Sequence, residues 1–488
     1  MGRWTWLHLA LALAAGLTIV LLPLPVASLT VVLVGAIVGI LIQPFAALFL
    51  MLLAAPLGAL ESLYFPSLPL TSGQVLFLVF MSAWLARRLI EGRLALPRVR
   101  LLLPLLGFTL VAALSLLEAQ SLTLGLKELA KWVEVTLLIM AVVDLSNPTG
   151  HRPSRSLGST TIGLNWIILM ILVAGASQAL IGAWQFGLAS SGPDHFMVLD
   201  RFYRAFGTFQ QPNPFGGFVG ITALFGLGVG LGLAMAVYQK VREDHEWPWA
   251  SIIWLVLFAA LTLLAGLAVL FSWSRGAWLG FGAGLGVTLF FWPRRASRGV
   301  LLVLLAILMV TAGWRLGLFP SALSERLVSL QTELQLDDVR GVEITVGNFA
   351  VVERLAHWQA ALGMVRERPW LGVGLGNYES AYSEHALLDW PLALGHAHNY
   401  YLNIAAETGV VGLLAYGTLW VAVFWQCLRL LHRLEWSSRG VALGLLAAWT
   451  MLSVHHLFDN LYVNNLYLTV GVLLGIQQLL DRRVSWSA

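Results

Sequence analysis

Apolar runs of membrane-crossing length, separated by short polar breaks, recur along the whole chain. A helix needs roughly 20 such residues to cross a bilayer core. Read at that length, candidate spans lie near 6–22, 26–42, 46–60, 74–90, 101–117, 131–146, 163–184, 215–238, 250–271, 277–292, 299–318, 398–426, 440–457 and 461–480. This predicts an all-α, polytopic transmembrane helix bundle of about 12–14 spans, the count depending on three short N-terminal runs interrupted by Pro23, Pro25, Pro44 and Pro56. The run after Arg3 begins like a signal peptide, but 24–28 makes a poor cleavage site, so a retained signal anchor is expected. The rhythm breaks once, over the 79 residues 319–397, far beyond an ordinary connection. Within that stretch, 352–365 has apolar positions at helical spacing with Arg354 and His357 on the polar side. Arg368-Pro369-Trp370 ends it, and Gly372, Gly374 and Gly376 read as a flexible turn. The expected division is an N-terminal transmembrane bundle (1–318), a large, partly helical extracytoplasmic loop (319–397) and C-terminal transmembrane helices (398–488).

Composition narrows the class. The 488 residues are 58% hydrophobic and only 11% charged, with 54 charged residues matched by 54 aromatic ones. A soluble domain carries roughly 25% charged residues, so a soluble enzyme, a disordered chain and a nucleic-acid binder are excluded. Cys427 is the single cysteine, which excludes an intrachain disulfide. With a cytoplasmic N-terminus, 18 of the 29 Lys and Arg fall on inside segments, every short inside loop being basic. That satisfies the positive-inside rule and places both termini in the cytoplasm of a multi-pass protein of the cell (inner or plasma) membrane. The 319–397 loop then lies outside, with five Arg and ten Asp or Glu, a net charge of −5.

Ionisable groups at membrane depth are costly, and each is a default functional candidate. Four clusters fall at the outer interface: Arg201 and Arg204 before Asn213; Ser272 to Gly276 around Arg275; His396, His398 and Asn399 where the loop re-enters; and His455, His456, Asp459 and Asn460. Arg275 begins a helix that Ser272 or Ser274 can cap, and Arg204 precedes another helix start. Free N–H groups and the dipole at such starts favour anions. Two guanidiniums with two helix starts make a diphosphate-sized site, and His398 suits a proton-accepting role. No carboxylate pair with metal-ligand spacing accompanies them, so no metal or other cofactor is expected.

Plainer readings stand beside these. Arg201 and Arg204 can be interfacial snorkellers, and Arg275 can anchor its hairpin. His396 and His398 can cap loop carbonyls, or bind zinc as an H-x-H pair that lacks a third ligand nearby. Lys127, Glu128, Lys131 and Glu134 can simply pair with one another along a helix. His455, His456 and Asp459 suit interhelical hydrogen bonding, and Glu407 can satisfy buried backbone. A multi-span solute or bicarbonate transporter is the alternative class. It calls for ionisable residues at the midplane and repeat symmetry, neither of which is evident.

These segments resemble the O-antigen ligase and polymerase superfamily. The resemblance rests on His398-Asn399-Tyr400-Tyr401-Leu402 followed by Glu407, Gly409 and Gly412; on Arg204 to Asn213; on Ser274-Arg275-Gly276; on Arg354 to Trp358 with Pro369 and Gly372-Val373-Gly374; and on the Asp459 hairpin. It covers about 200–462 and implies a GT-C-like, inverting, metal-independent glycosyltransferase. The implied donor is a polyprenyl-diphosphate-linked glycan, undecaprenyl diphosphate being the carrier, and the implied acceptor a glycan or lipid-glycan hydroxyl on the extracytoplasmic face. Lipopolysaccharide or other envelope polysaccharide is the implied product. The resemblance implies that Arg204 and Arg275 hold the diphosphate and that His398 is essential. Asn213, Arg354, His396, Asn399, Glu407 and Asp459 are supporting or acceptor-side candidates. Lys127 and Lys131 are candidates for a second lipid-linked substrate, membrane lipids are surrounding partners, and ligase, polymerase and protein-glycan transferase stay open.

Overall fold

A computed structural model describes residues 43–92, 95–145, 158–189, 192–199, 201–245, 247–319, 338–345 and 348–487. The expected spans 6–22 and 26–42, with the signal anchor, lie outside the described residues. Helix α1 (Pro44–Ala54) continues through one tight turn into α2 (Gly58–Tyr64), followed by α3 (Ser72–Ile90), α4 (Leu102–Ser115), α5 (Leu122–Leu145) and α6 (Gly158–Ala183). Then come α7 (Pro212–Asp244), α8 (Trp249–Phe271), α9 (Arg275–Phe291) and α10 (Ala296–Arg315). The long segment contributes α11 (Phe349–Glu367) and α12 (Tyr378–His385), and α13 (Tyr400–Arg433), α14 (Trp436–His455) and α15 (Leu466–Ser487) complete the chain. Two short strands, Met197–Val198 and Phe202–Tyr203, pair antiparallel before α7.

The protein is an all-α, polytopic membrane bundle. Among the described residues, eight helices are long and apolar enough to cross a membrane. At the remaining expected positions, α4, α5, α9 and α15 are shorter or carry charged residues. One shift moves charge into a helix: α5 begins at Leu122 rather than near 131, which carries Lys127 and Glu128 into it.

Glycine sets how closely the central helices approach. Gly228 and Gly232 on α7 face Gly444 and Gly440 on antiparallel α14; a Cβ on Gly440 would lie 2.5 Å from the Gly232 Cα. The register continues outward, Gly220 against Met451 and Gly217 against His455. On its other side α14 meets α9, where a Cβ on Gly280 would lie 2.9 Å from the Met451 carbonyl oxygen and one on Gly276 3.0 Å from His455. Small residues favour this approach because lipid tails give apolar side chains no reason to associate, leaving close packing to hold helices together. Helices on both sides of the 319–397 segment share one buried core, from Ala47 to Val484.

The second determinant is a break in α13. Gly409 adopts φ 67° inside the helix, and a Cβ there would collide with Trp370. The backbone groups released by the break are met by the 369–374 segment. Val373 N–H donates to the Ala406 carbonyl (2.9 Å), Gly374 N–H to that of Glu407 (2.9 Å), and Val410 N–H to that of Pro369 (2.8 Å). Unsatisfied backbone at this depth would cost several kcal/mol per group, so the pairing is obligatory. Gly372, Gly374 and Gly376, expected to form a flexible turn, are instead a fitted clamp. All three have positive φ, and a Cβ on Gly374 would press within 2.7 Å of Ala119.

Substituting Gly444 by Val should force α7 and α14 apart at a cost of about 3 kcal/mol or more, since the backbone cannot yield as a flexible side chain would. Thermal unfolding of the purified protein is the readout, and an unchanged midpoint would contradict the glycine contact. Gly417, whose Cβ would meet nothing within 4 Å, provides the tolerant comparison.

Candidate active site

Four chain segments meet at the end of the bundle marked by the α7 and α9 N-termini and the α14 C-terminus. The first contributes Arg204. Its Nε donates to the Ser272 carbonyl (3.2 Å) and its Nη2 approaches Asn213 Oδ1 (3.5 Å). Asn213 Oδ1 also accepts from the Ser274 hydroxyl (2.8 Å), and Ser274 Oγ caps α9 by accepting from Ala277 N–H (3.4 Å). Arg204, Asn213 and Ser274 are thereby one hydrogen-bonded group at the start of α9, whose first residue, Arg275, is buried. The turn carrying them is pinned by two buried glutamines with no evident signal in the sequence. Gln185 Oε1 accepts from Phe206 and Gly207 N–H, and Gln178 Oε1 from Thr208 N–H. Arg201 sits exposed at the rim, stacked on Phe202 at 5.3 Å.

The histidine side is built at the α13 N-terminus. Asn399 Oδ1 accepts from Tyr401 (3.0 Å) and Leu402 (3.1 Å) N–H, a capping arrangement. Tyr400 N–H donates to the His456 carbonyl (2.8 Å), tying this start to the turn after α14. His398, the residue before the cap, has φ 51°, a strained conformation for a bulky side chain. Its Nδ1 faces Asp459 Oδ1 at 3.7 Å, and His396 Nε2 faces the same oxygen at 3.6 Å. Neither ring nitrogen of His398 has a hydrogen-bond partner among the described residues. Burial alone would raise the Asp459 carboxyl, but the adjacent His398 and His396, with His455, hold it well below the usual carboxylate range.

The 455–459 turn joins the two sides. His455 packs on Gly276 beside Arg275, and Phe458 packs there too. Asp459, at the other end of the turn, faces His398. Asp459 thus belongs to the His396–His398 cluster rather than only to the hydrogen bonding between helices.

Residues 348–397 close over this junction. His357, expected on the polar side of its helix, is instead buried, with its ring stacked on Tyr382 at 4.6 Å and 5.7 Å from the His398 ring. Its Nδ1 lies 3.0 Å from the Tyr378 hydroxyl. Burial, reinforced by His398 and His396, pushes His357 down to about 4. His396 is pushed down to about 4 by burial, with His398 and Arg354 adding to the effect and Asp459 opposing it. Glu353, on the same helix as Arg354, is raised by burial and lowered in part by His398 and Arg354. The sequence spacing places His357 on a polar face with Arg354; the structure buries it. Glu407 takes its plainer reading, Oε1 accepting from Tyr378 N–H (3.3 Å) to anchor α12. Asn403 Oδ1 similarly accepts from Ala397 N–H (3.0 Å), holding the histidine hairpin.

Two expectations change. Lys131 pairs with Glu128 and reaches the Tyr462 carbonyl at 3.4 Å, while Lys127 is exposed. Lys131 is therefore engaged within the protein rather than presented as an anion site. The third potential metal ligand missing from the local sequence is supplied by Asp459, because folding brings it beside the H-x-H pair; ligand atoms of His396, His398 and Asp459 lie within 4.8 Å of one another. The hydrogen bonding nevertheless disfavours a metal there. His396 Nδ1 accepts from the His398 backbone N–H (3.1 Å), so the neutral ring carries its proton on Nε2, facing Asp459. That nitrogen has no lone pair to give a metal, and metal-bound histidines normally donate through their other nitrogen.

Residues 260–417 match a protein-family model described as O-Antigen ligase. Two curated relatives extend the similarity over most of the chain. One is a General O-oligosaccharyltransferase of Acinetobacter baylyi, 26% identical over 85% of this chain and 66% of its own length. The other is the Exopolysaccharide production protein ExoQ of Rhizobium meliloti, 23% identical over 73% of this chain and 72% of its own length. The chain is thus similar to the O-antigen ligase family over residues 260–417, about a third of its length. The chain spans 66% of the length of the first of these relatives. Neither relative is named for transport, and the alternative transporter reading has no support.

Two outcomes follow from this geometry. His398→Gly should unfold at a higher temperature than His398→Ala, by about 1 kcal/mol of stability, because glycine alone accepts positive φ freely; equal midpoints would contradict the strained backbone. His357 and His396 are depressed below their unfolded values, so protons bind the unfolded state first as pH falls. The stability they permit is present above about pH 6.5 and is lost between there and about pH 4. Hydrogen-exchange protection over 349–398, taken relative to the intrinsic rate at each pH, should fall across that window, and less so in His357→Gln.

Proposed function

We propose that this protein is an integral membrane glycosyltransferase of the O-antigen ligase or polymerase type. It moves a glycan from a polyprenyl-diphosphate carrier to an acceptor hydroxyl. The observation carrying the proposal is the junction itself: the Arg204–Asn213–Ser274 group and Arg275 at a capped helix start, joined through the 455–459 turn to His398 and Asp459. The proposed active site is extracytoplasmic and both termini are cytoplasmic, supported by the 18 basic residues on inside segments.

In the proposed reaction the diphosphate lies against Arg204, Arg275 and the α9 start. His398 Nε2 takes the proton of the acceptor hydroxyl, while Asp459 orients Nδ1 and stabilises the imidazolium that forms. The acceptor oxygen attacks the anomeric carbon from the face opposite the leaving group, inverting its configuration. The carbon–oxygen bond to the diphosphate breaks and polyprenyl diphosphate departs with its charge on the arginines. Prepositioned donors at developing charge are the effective means of lowering such a barrier. No metal is required in this scheme, and the protonated His396 Nε2 favours that. The outer segment covers the site and forms the acceptor side, with Arg354 nearby; its net charge of −5 favours an acceptor that is not strongly anionic.

The test is reconstitution in vesicles with a fluorescent undecaprenyl-diphosphate glycan and candidate acceptors. His398→Ala should lower transfer by about 10²–10⁴-fold, as expected for a lost general base. Arg275→Ala should lower it by about 10²–10³-fold, as for a lost oxyanion contact, and Arg201→Ala should be mild. Full activity in either of the first two variants, properly folded, would overturn that residue's role. Activity abolished by EDTA and restored by a divalent ion would overturn the metal-free scheme. Lengthening without an added acceptor identifies a polymerase; a single product dependent on lipid A core, or on a protein, identifies the corresponding transferase.

A further inference from the structure

At the opposite end of the bundle from the histidines, a recess of about 650 Å³ opens between the end of α7, the α9–α10 turn and the start of α14. Arg294, Arg295 and Arg298 line it together with Trp292, Leu301 and Trp436. We propose that this recess binds an anionic glycerophospholipid, with the headgroup phosphate on the arginines and an acyl chain along α10.

Basic residues are common at this end of the protein, but several of them are paired internally. Arg439 donates to the carbonyls of Phe291, Trp292 and Leu431, Arg429 pairs with Asp481, and Arg88 with Asp144. Among the described residues, no carboxylate forms an ion pair with Arg294, Arg295 or Arg298. Arg294 is held in place, stacked on Trp436 at 5.1 Å with Nη2 3.4 Å from the Leu434 carbonyl oxygen. The Trp292 indole N–H is buried and has no acceptor among the described residues. Three guanidiniums call for an oxyanion with several acceptor oxygens.

The apolar wall selects a lipid over free phosphate. Leu301 lines the recess, and Leu301, Leu304 and Leu308 form an outward face of α10 that is more than half exposed. Of the membrane-length helices α10 is the least covered, with 11% of its apolar window buried. A phosphate fixed at the turn would leave its acyl chain lying along this face. The site is remote from the histidines and does not depend on the transferase reading.

Nanodiscs of phosphatidylcholine with phosphatidylglycerol, containing traces of photoactivatable phosphatidylglycerol, provide the test. The label should concentrate on peptides covering 292–302. It should fall about fivefold per charge removed and roughly a hundredfold in the combined Arg294→Gln, Arg295→Gln, Arg298→Gln variant, following the usual attraction per arginine. Equal labelling by photoactivatable phosphatidylcholine, labelling unchanged in the combined variant, or displacement by millimolar inorganic phosphate would each overturn the proposal. Arg298→Gln alone, with a fivefold loss expected, serves if the combined variant fails to fold.

Discussion

The glycine contacts that seat α14 between α7 and α9 govern everything else at the site. Gly440 and Gly444 meet Gly232 and Gly228, and the same antiparallel register brings Gly217 to His455. On the α9 side, Gly280 meets Met451 and Gly276 meets His455. A one-turn slip of α14 would move its end by about 5.4 Å, carrying His455 away from Gly276 and Asp459 away from His398. Backbone at contact distance permits no intermediate positions. The relation between the arginine side and the histidine side is therefore fixed by packing far from either.

A second constraint operates through backbone hydrogen bonding. The α13 break at Gly409 leaves polar groups that the 369–374 segment satisfies. That pairing binds the segment before α13 to the same helix whose N-terminus carries His398. Glu407 and Asn403 add side-chain ties from α13 to Tyr378 and Ala397. His357 is thus delivered next to His398 by structure that a polar, acidic loop would not by itself hold. The resulting environment is dry enough to keep His357 and His396 neutral at neutral pH, while the low carboxyl of Asp459 retains its charge opposite two histidines.

The helices were legible because membrane spans announce themselves by length and apolarity, and α7, α8 and α10 lie close to their expected positions. Arg204, Arg275 and His398 stood out as candidates for a related reason: charge or imidazole at a span end contrasts with apolar sequence. What the sequence could not convey was partnership across distance. Asp459 lies about sixty positions from His398, so the cluster with His396 had no local spacing to reveal it. His357 looked like the polar face of an amphipathic helix because the histidine hairpin it packs beside is itself polar. Gly372, Gly374 and Gly376 looked flexible because glycine's freedom and glycine's small size give the same letter; only the neighbouring backbone at Ala406 and Ala119 distinguishes them. Gln178 and Gln185 gave no signal, being ordinary polar residues whose partners belong to a turn more than twenty residues away.

The central claim is that diphosphate binding and proton transfer reside on separate sides of one junction. Equilibrium binding of undecaprenyl diphosphate to the purified wild type, Arg275→Ala and His398→Ala proteins in nanodiscs tests it most directly. Loss of the guanidinium should weaken binding at least tenfold, whereas loss of the imidazole should leave it within about twofold. Equal affinity in wild type and Arg275→Ala, with both proteins folded, would contradict the placement of the diphosphate at the start of α9.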